Sequence, residues 1–188
     1  MRLFTAIDLP AEVLLRLERL LAALRSEALI KWSPLDNLHI TTKFIGEWQE
    51  RRLDELDAAL AGVGPREPFS LELKDLGWFP NERSPRVLWA GVHGGQWLEE
   101  LARATEERLV PLGIPREERA FSPHLTLARI KSPVPLGRLK QRVRDMQPAA
   151  LGTFQVTRFT LYRSDPGSNA SIYHRLREYR LASAMAAS

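Results

Sequence analysis

Two His-x-Thr triplets are the clearest candidates for chemistry in this sequence: His39-Ile40-Thr41 and His124-Leu125-Thr126. The chain contains only four histidines, and random placement of its histidines and threonines would give about 0.2 such triplets. Both triplets lie in apolar runs, which predicts strands. Because residues i and i+2 of a strand point to the same face, each histidine should project beside its threonine. Two imidazoles and two hydroxyls can then converge on one small volume.

These groups suit in-line phosphoryl transfer, in which a nucleophile enters on one side of phosphorus while an oxygen leaves on the other. Imidazole has a pKa of about 6.5, so one ring can act as base while the other, protonated, acts as acid. Each such role typically contributes about 10²–10⁴-fold in rate. Threonine hydroxyls can donate hydrogen bonds to the non-bridging phosphate oxygens. We expect no metal and no other cofactor, because this chemistry requires none and neither histidine has an obvious three-ligand set around it.

The periodicity of apolar residues predicts the elements that must position these triplets. Helical spacing occurs in four segments and short apolar or alternating runs occur in seven. The predicted helices are 10–28, 48–63, 96–113 and 136–146, and the predicted strands are 3–9, 38–45, 69–79, 86–92, 124–130, 153–164 and 171–182.

The order of these elements recurs in the second half of the chain with a constant offset. The two histidines are 124 − 39 = 85 residues apart, and Phe69 and Phe154 open corresponding strands with the same separation. We therefore predict one domain over 1–188, built from two interleaved lobes (an approximate pattern repeat of 1–85 and 86–170) plus a C-terminal strand at 171–182. A pseudo-twofold relation would let the triplets face each other across a cleft.

Composition limits the classes of function. With 44% hydrophobic and 27% charged residues in 188, the chain can bury a substantial core. No apolar run reaches the roughly 18–20 residues that span a bilayer, and the N-terminus lacks the features of a secretory signal, so we expect a cytoplasmic protein without a membrane partner. The absence of cysteine excludes disulfides and thiol catalysis. A net charge of +4 is compatible with a phosphate-bearing partner.

Several stretches, in order, resemble a known family: "LFTAIDLP", "HITTKFIG", "RVLWAGV", "FSPHLTLAR" and "LYRS". They are similar to the signature segments of the 2H phosphoesterases and, more narrowly, of the RNA 2′,3′-cyclic phosphodiesterases, historically called 2′-5′ RNA ligases. The resemblance extends from residue 3 to about 182. It implies an α+β fold with two lobes of mostly antiparallel sheets, flanked by helices, around a central groove. It also implies hydrolysis of the 2′,3′-cyclic phosphate ends of RNA or tRNA fragments to 2′-phosphates.

The resemblance implies a role for each matching residue. His39 is the proton donor to the leaving 3′ oxygen, and His124 is the proton acceptor that activates water. Thr41 and Thr126 occupy phosphate-contacting positions, and Arg129 matches the arginine that closes the second motif. We expect the protein to act as a monomer.

Three further residues near the first triplet have open roles. Phe4 and Phe44 are candidates for stacking on the terminal base, with core packing as the alternative. Lys43 has the same parity as His39, which leaves both an RNA phosphate contact and an ordinary surface position open. Strict alternation places Phe44 and Arg129, each five residues after a histidine, on the opposite face from that histidine, and a bulge would be needed to bring them round.

Four alternatives for the site remain open. The same proton transfers run in reverse would join RNA ends through a 2′-5′ linkage. A small cyclic nucleotide or an ADP-ribose cyclic phosphate would be a different substrate for the same hydrolysis. An RNA-end binding module would hold the cyclic phosphate without turning it over. In a structural interpretation, the two histidines would only pack within strands.

Overall fold

Residues 1–63 and 67–181, which a computed structural model describes, form nine strands and four α-helices. The strands are β1 (Arg2–Ile7), β2 (Lys31–Trp32), β3 (Ile40–Glu47), β4 (Phe69–Phe79), β5 (Val87–His93), β6 (His124–Arg129), β7 (Ala150–Val156), β8 (Arg158–Asp165) and β9 (Ile172–Arg180). The helices are α1 (Ala11–Arg25), α2 (Leu53–Ala61), α3 (Gly95–Leu109) and α4 (Gly137–Asp145). Three 3₁₀ turns occur at Leu35–Asn37, Glu50–Arg52 and Val110–Leu112.

The helices form where the sequence has one apolar stripe and a compatible start. Pro10 precedes α1 in an extended conformation, which suits the entry to a helix because proline lacks the N–H that the first turn leaves unpaired. The stripe of α1 is completely buried (Val13, Leu17, Leu21 and Leu24). Arg25 in the last turn of α1 complements the negative end of the helix dipole.

The strands assemble into two antiparallel sheets. Sheet A has the order β3-β1-β8-β9, and sheet B has the order β2-β6-β5-β4-β7. All recorded strand pairs are antiparallel. This architecture confirms the predicted α+β class with two mostly antiparallel sheets.

One predicted strand is wrong. The segment 153–164 is divided at Thr157 into β7, which closes sheet B, and β8, which pairs with β1 in sheet A. Buried residues alternate up to Val156 and resume at Phe159, so two polar positions interrupt the period at the crossing. Because the period fails there, one chain segment can serve both sheets.

The sheets exchange strands between the two predicted repeats. β4 comes from the first repeat but pairs with β5 of the second, while β8 comes from the second and pairs with β1 of the first. The helices α1 and α3 both have 15 residues and begin 95 − 11 = 84 residues apart. The division into lobes at 85/86 stays a prediction. The final residue of the predicted strand 171–182 lies outside the described residues.

One cluster of buried apolar side chains joins the two sheets and the four helices. α1 packs against β7, α3 packs against β3 and α2 packs against β9. The helices therefore cover one face of each sheet, which leaves the other face available for a site. In the part of the chain that the structure describes, no helix is both long and apolar enough to span a bilayer.

Candidate active site

A β-bulge in β3 determines which side chains of the first motif share a face. Thr42 is skipped in the register between β1 and β3, so the alternation of side chains shifts by one at this point. His39 and Thr41 therefore lie on the same face as Phe44. The Cα pairs are Ile7–Ile40, Ala6–Thr41, Thr5–Lys43 and Phe4–Phe44. We call this surface, which carries Phe4, His39 and Thr41, the site face of sheet A.

A second bulge occupies the corresponding position of β6. Leu127 is skipped between β5 and β6, three residues after His124, just as Thr42 is three residues after His39. Arg129 consequently returns to the face that carries His124 and Thr126, which we call the site face of sheet B. The Cα pairs are Gly91–His124, Ala90–Leu125, Trp89–Thr126, Leu88–Ala128 and Val87–Arg129. The bulges thus bring Phe44 and Arg129 onto the same faces as their histidines, which strict alternation would not allow.

The two strands that carry the triplets are neighbours in space although they belong to different sheets. β3 contacts β6. The edge of β6 that does not pair with β5 is covered near its C-terminal end. There the Ser33 hydroxyl donates to the carbonyl of Thr126 at 2.9 Å. Both motifs therefore lie at the junction of the sheets.

His39 is held within a stack of aromatic rings. Its ring lies 4.8 Å from that of Phe4, at an interplanar angle of 28°, and meets Tyr173 edge-on at 5.1 Å. Phe4 in turn stacks on Tyr162 at 5.4 Å. Burial lowers the pKa of His39 to about 4, because desolvation disfavours the charged ring. A hydrogen bond to the Asn37 backbone and the charge of Asp8 act in the opposite direction but are smaller effects.

Asp8 anchors the polar side of this stack. Its carboxylate accepts hydrogen bonds from the Thr160 hydroxyl at 2.9 Å and from the Tyr162 hydroxyl, and it pairs with Arg175 at 3.0 Å. Burial, with a further contribution from Asp8, raises the pKa of Tyr162 to about 12, so the phenol stays protonated and donates. A cavity of about 190 Å³ beside His39 is lined in part by Asp8 and Arg175.

His124 has a different environment. Its Nδ1 lies 2.8 Å from the carbonyl oxygen of Ser122. A carbonyl can only accept, so Nδ1 carries the proton and the neutral ring keeps Nε2 as a free acceptor. Phe79 meets this ring edge-on at 4.9 Å. Among residues 1–63 and 67–181, no ring stacks on His124 as Phe4 stacks on His39.

The support of His124 depends on a glycine. Phe79 contacts Trp89 at 5.3 Å between ring centroids. The indole of Trp89 lies directly over Gly77, where an added Cβ would be only 2.2 Å from its Cζ2 atom. Gly77 therefore makes room for Trp89, and Trp89 and Phe79 together form the wall beside His124.

The structure separates the two phenylalanines that the sequence offered for stacking. Phe44 is 59% exposed on the site face, so its ring is available to a ligand. Phe4 is only 3% exposed and is already enclosed by His39, Tyr162 and Tyr173. Its packing therefore argues against base stacking and gives it a role in holding His39.

Lys43 occupies neither of the positions left open for it. Its side chain is buried, and Nζ contacts Glu106 at 2.9 Å, Glu117 at 3.1 Å and the carbonyl of Pro115 at 2.9 Å. The Thr42 bulge turns Lys43 toward α3, so the parity with His39 predicted the wrong face. Within the described residues, Lys43 is a clamp between β3 and the segment that follows α3.

Sequence reasoning missed the residues that surround His39. Asp8 stands in the quoted stretch "LFTAIDLP" and Tyr162 in "LYRS", but neither belongs to a His-x-Thr triplet. Alternation along β1 from Phe4 through Ala6 was the available signal for Asp8. No comparable signal linked Tyr162 or Arg175 to it, because those contacts span 154 and 167 positions of the chain.

Among residues 1–63 and 67–181, no group of three His, Cys, Asp or Glu side chains is arranged to hold a metal ion. The polar groups that the two motifs contribute are the imidazoles, the threonine hydroxyls and Arg129. They can exchange protons and donate hydrogen bonds to an anion.

Comparison with known proteins agrees with this geometry. A family described as LigT like Phosphoesterase matches residues 7–89 and 92–173. An RNA 2′,3′-cyclic phosphodiesterase of Methanocaldococcus jannaschii is 34% identical over 182 residues, which cover 95% of this chain and 100% of that protein. Another with the same name, from Thermus thermophilus, is 34% identical over 188 residues, which cover 96% of this chain and 90% of that protein.

Solved structures give the same result. A crystal structure of a Thermus thermophilus protein matches with a TM-score of 0.82 at 32% identity, covering 96% of this chain and 98% of the other. The E. coli LigT protein in complex with 3′-AMP matches with a TM-score of 0.77 at 30% identity, covering 97% and 98%. By fold, motif geometry and sequence, the chain belongs to the LigT-like phosphoesterases of the 2H family.

Proposed function

We propose that this protein hydrolyses the 2′,3′-cyclic phosphate ends of RNA to 2′-phosphates by paired-histidine acid–base catalysis without a metal. The observation that carries the proposal is the pair of bulged His-x-Thr strands, which present His39 with Thr41 and His124 with Thr126 at the junction of two sheets. The activity named for the relatives from Methanocaldococcus jannaschii and Thermus thermophilus supports the same reaction.

In this mechanism His124 acts as the base. Its Nε2 accepts a proton from water, and the oxygen of that water attacks phosphorus. The bond from phosphorus to the 3′ oxygen breaks, and this oxygen takes a proton from His39 as it leaves, so the phosphate remains on the 2′ oxygen. Thr41 and Thr126 donate hydrogen bonds to the non-bridging oxygens. Arg129 supplies positive charge and two parallel donors to phosphate.

The acid role of His39 depends on the substrate. With a pKa of about 4, the ring of the free protein is neutral at pH 7, and protonating it there costs about 4 kcal/mol. An anionic phosphate beside the ring favours its charged form, since opposite charges interact strongly in a desolvated site. Substrate binding therefore raises the pKa of His39. The ring becomes protonated only when a leaving oxygen is present to receive the proton.

We propose RNA or tRNA-fragment ends as the substrates, with Phe44 as a stacking surface for the terminal base. Both triplets come from one chain, so a monomer contains every group that the mechanism uses.

The test is incubation of the purified protein with a 2′,3′-cyclic-phosphate oligonucleotide in a buffer with EDTA, followed by identification of the product isomer. We expect a 2′-phosphate, and we expect His39→Asn or His124→Asn to lower turnover at least about 10²-fold. His174→Asn is the matched control. His174 lies on β9, pairs with Asp165 at 3.2 Å and does not belong to either triplet.

Three outcomes would contradict the proposal: near-normal turnover in either triplet variant, a 3′-phosphate product, or complete loss of activity with EDTA. A 5′-hydroxyl acceptor in the same incubation measures joining. Joined RNA as the main product would assign ligation instead.

A further inference from the structure

Two cations stand side by side at the end of sheet B. β2 pairs with β6 so that Lys31 lies directly opposite Arg129. Directly opposed residues of antiparallel strands share a face, and the Leu127 bulge places Arg129 on the site face with Thr126. Lys31 is therefore on the site face of sheet B as well, and both side chains are exposed.

Neither cation is neutralised by another described residue. Across residues 1–63 and 67–181, no ion pair involves Lys31 or Arg129, whereas Lys43, Arg138 and Arg175 all have carboxylate partners. Like charges directly opposite on neighbouring strands destabilise a sheet. An anion bound between the two side chains would remove that repulsion.

One further cation extends the patch. Lys131 lies just after the end of β6, two residues beyond Arg129. Its side chain is exposed and, within the described residues, forms no ion pair. We call Lys31, Arg129 and Lys131 the basic end of sheet B.

The basic end is too long to serve only one phosphate. Arg129 is five residues after His124, which is about 15 Å along a strand, and Lys31 lies one strand beyond it, about 4.8 Å farther from β5. The guanidinium of Arg129 can extend back toward the triplet, but Lys31 starts from a neighbouring strand and is farther from it. The corresponding position of the first motif is the apolar Phe44, so this feature exists on one side of the site only.

We propose that Lys31, with Lys131, binds internucleotide phosphates of the RNA segment that leads to the cyclic end, and that the protein therefore favours oligonucleotides over a mononucleotide. This inference rests on the proposed function. Single-stranded nucleic acids bind through such cationic paths beside stacking side chains, and each neutralised phosphate adds to the salt dependence of binding.

The experiment compares Lys31→Gln with Arg19→Gln. Arg19 is exposed on α1, between the buried residues Leu17 and Leu21 in sequence but on the outer face of the helix, so its variant loses the same charge away from the site. We measure kcat/KM for adenosine 2′,3′-cyclic phosphate and for a ten-nucleotide RNA with a cyclic end, at 50, 100 and 200 mM KCl.

For Lys31→Gln we expect kcat/KM on the ten-mer to fall about tenfold at 50 mM KCl, as for loss of one phosphate contact. The slope of log(kcat/KM) against log[KCl] should become less steep by about 0.7, the value for one contact to a single strand. The mononucleotide value should change less than twofold, and Arg19→Gln should match the wild type on both substrates.

The proposal is overturned if Lys31→Gln lowers both substrates equally, if Arg19→Gln loses as much on the ten-mer, or if the ten-mer is unaffected. Fluorescence anisotropy with a labelled 2′-phosphate ten-mer tests the same contact without turnover, because Lys31→Gln should weaken that binding by a similar factor. Failure of the wild type to hydrolyse either substrate would contradict the proposed function, and the anisotropy result would still decide the role of Lys31.

Discussion

Replacing His39 with glutamine should change how the stability of the protein responds to acid. The native ring is buried under Phe4 with a pKa of about 4, while the ring in the unfolded chain has a pKa of about 6.5. Between these values the unfolded state binds the additional proton, so protons favour unfolding there. The contribution is fully present above pH 6.5 and is lost as the pH falls through 4.

The size of the effect follows from the two pKa values. The full difference of about 2.5 units corresponds to roughly 3 kcal/mol, and most of it, about 2–3 kcal/mol, is lost between pH 7.5 and pH 4.5. Glutamine does not titrate in this range. The free energy of unfolding of the wild type should therefore fall by about 2–3 kcal/mol more than that of His39→Gln over the same interval.

Urea unfolding of both proteins at pH 7.5, 6.0 and 4.5 measures this difference. The contribution of carboxylate titration is common to the two proteins and cancels in the comparison. Parallel curves for the two proteins would refute the reasoning, and so would an NMR titration midpoint of the His39 ring near 6.5. The same titration with 2′-AMP present should give a higher midpoint, because the phosphate stabilises the protonated ring.

Two further substitutions test the supports of the site. Gly77→Ala should lower kcat about tenfold or more and destabilise the fold by about 1–3 kcal/mol, because its Cβ would collide with Trp89 at 2.2 Å. Gly137→Ala is the control, since an added Cβ there meets nothing within 4 Å. It should change neither kcat nor stability in the same assays. Lys43→Met should lower the free energy of unfolding in urea by about 2–3 kcal/mol, since it removes the buried ammonium that pairs with the largely buried carboxylate of Glu106. The exposed pair of Arg103 is the comparison, and Arg103→Met should cost less than about 0.5 kcal/mol; equal losses at the two positions would contradict the buried clamp.

The sequence predicted the elements of the fold well because their periodicity is local. All four helices and the strands around both triplets appear within a few residues of their predicted bounds. β2 has only two residues, so no periodic pattern exists from which it can be predicted. The division of 153–164 was missed because the exchange between sheets is decided by long-range pairing, and the sequence shows only a break in alternation at Thr157.

The sequence located the two motifs but not the faces of all their residues. Alternation is valid for His39 and Thr41, which precede the first bulge, and it fails from Thr42 onward. It therefore placed Lys43 on the site face and Phe44 away from it, and both were reversed. A bulge depends on how two strands register with each other, which a single strand sequence does not contain.

The two triplets differ only in an apolar middle residue, Ile40 or Leu125, so the proposed difference between acid and base must come from outside them. Phe4 and Tyr162 cover His39, and this burial lowers its pKa, while the charge of Asp8 acts in the opposite direction. His124 instead keeps Nε2 as an acceptor because Ser122 fixes the proton on Nδ1. These supports come from β1, β8 and the segment before β6, and none of them lies within a triplet. A chain could therefore retain both triplets and still lose the proposed division of roles if the stack on His39 were removed.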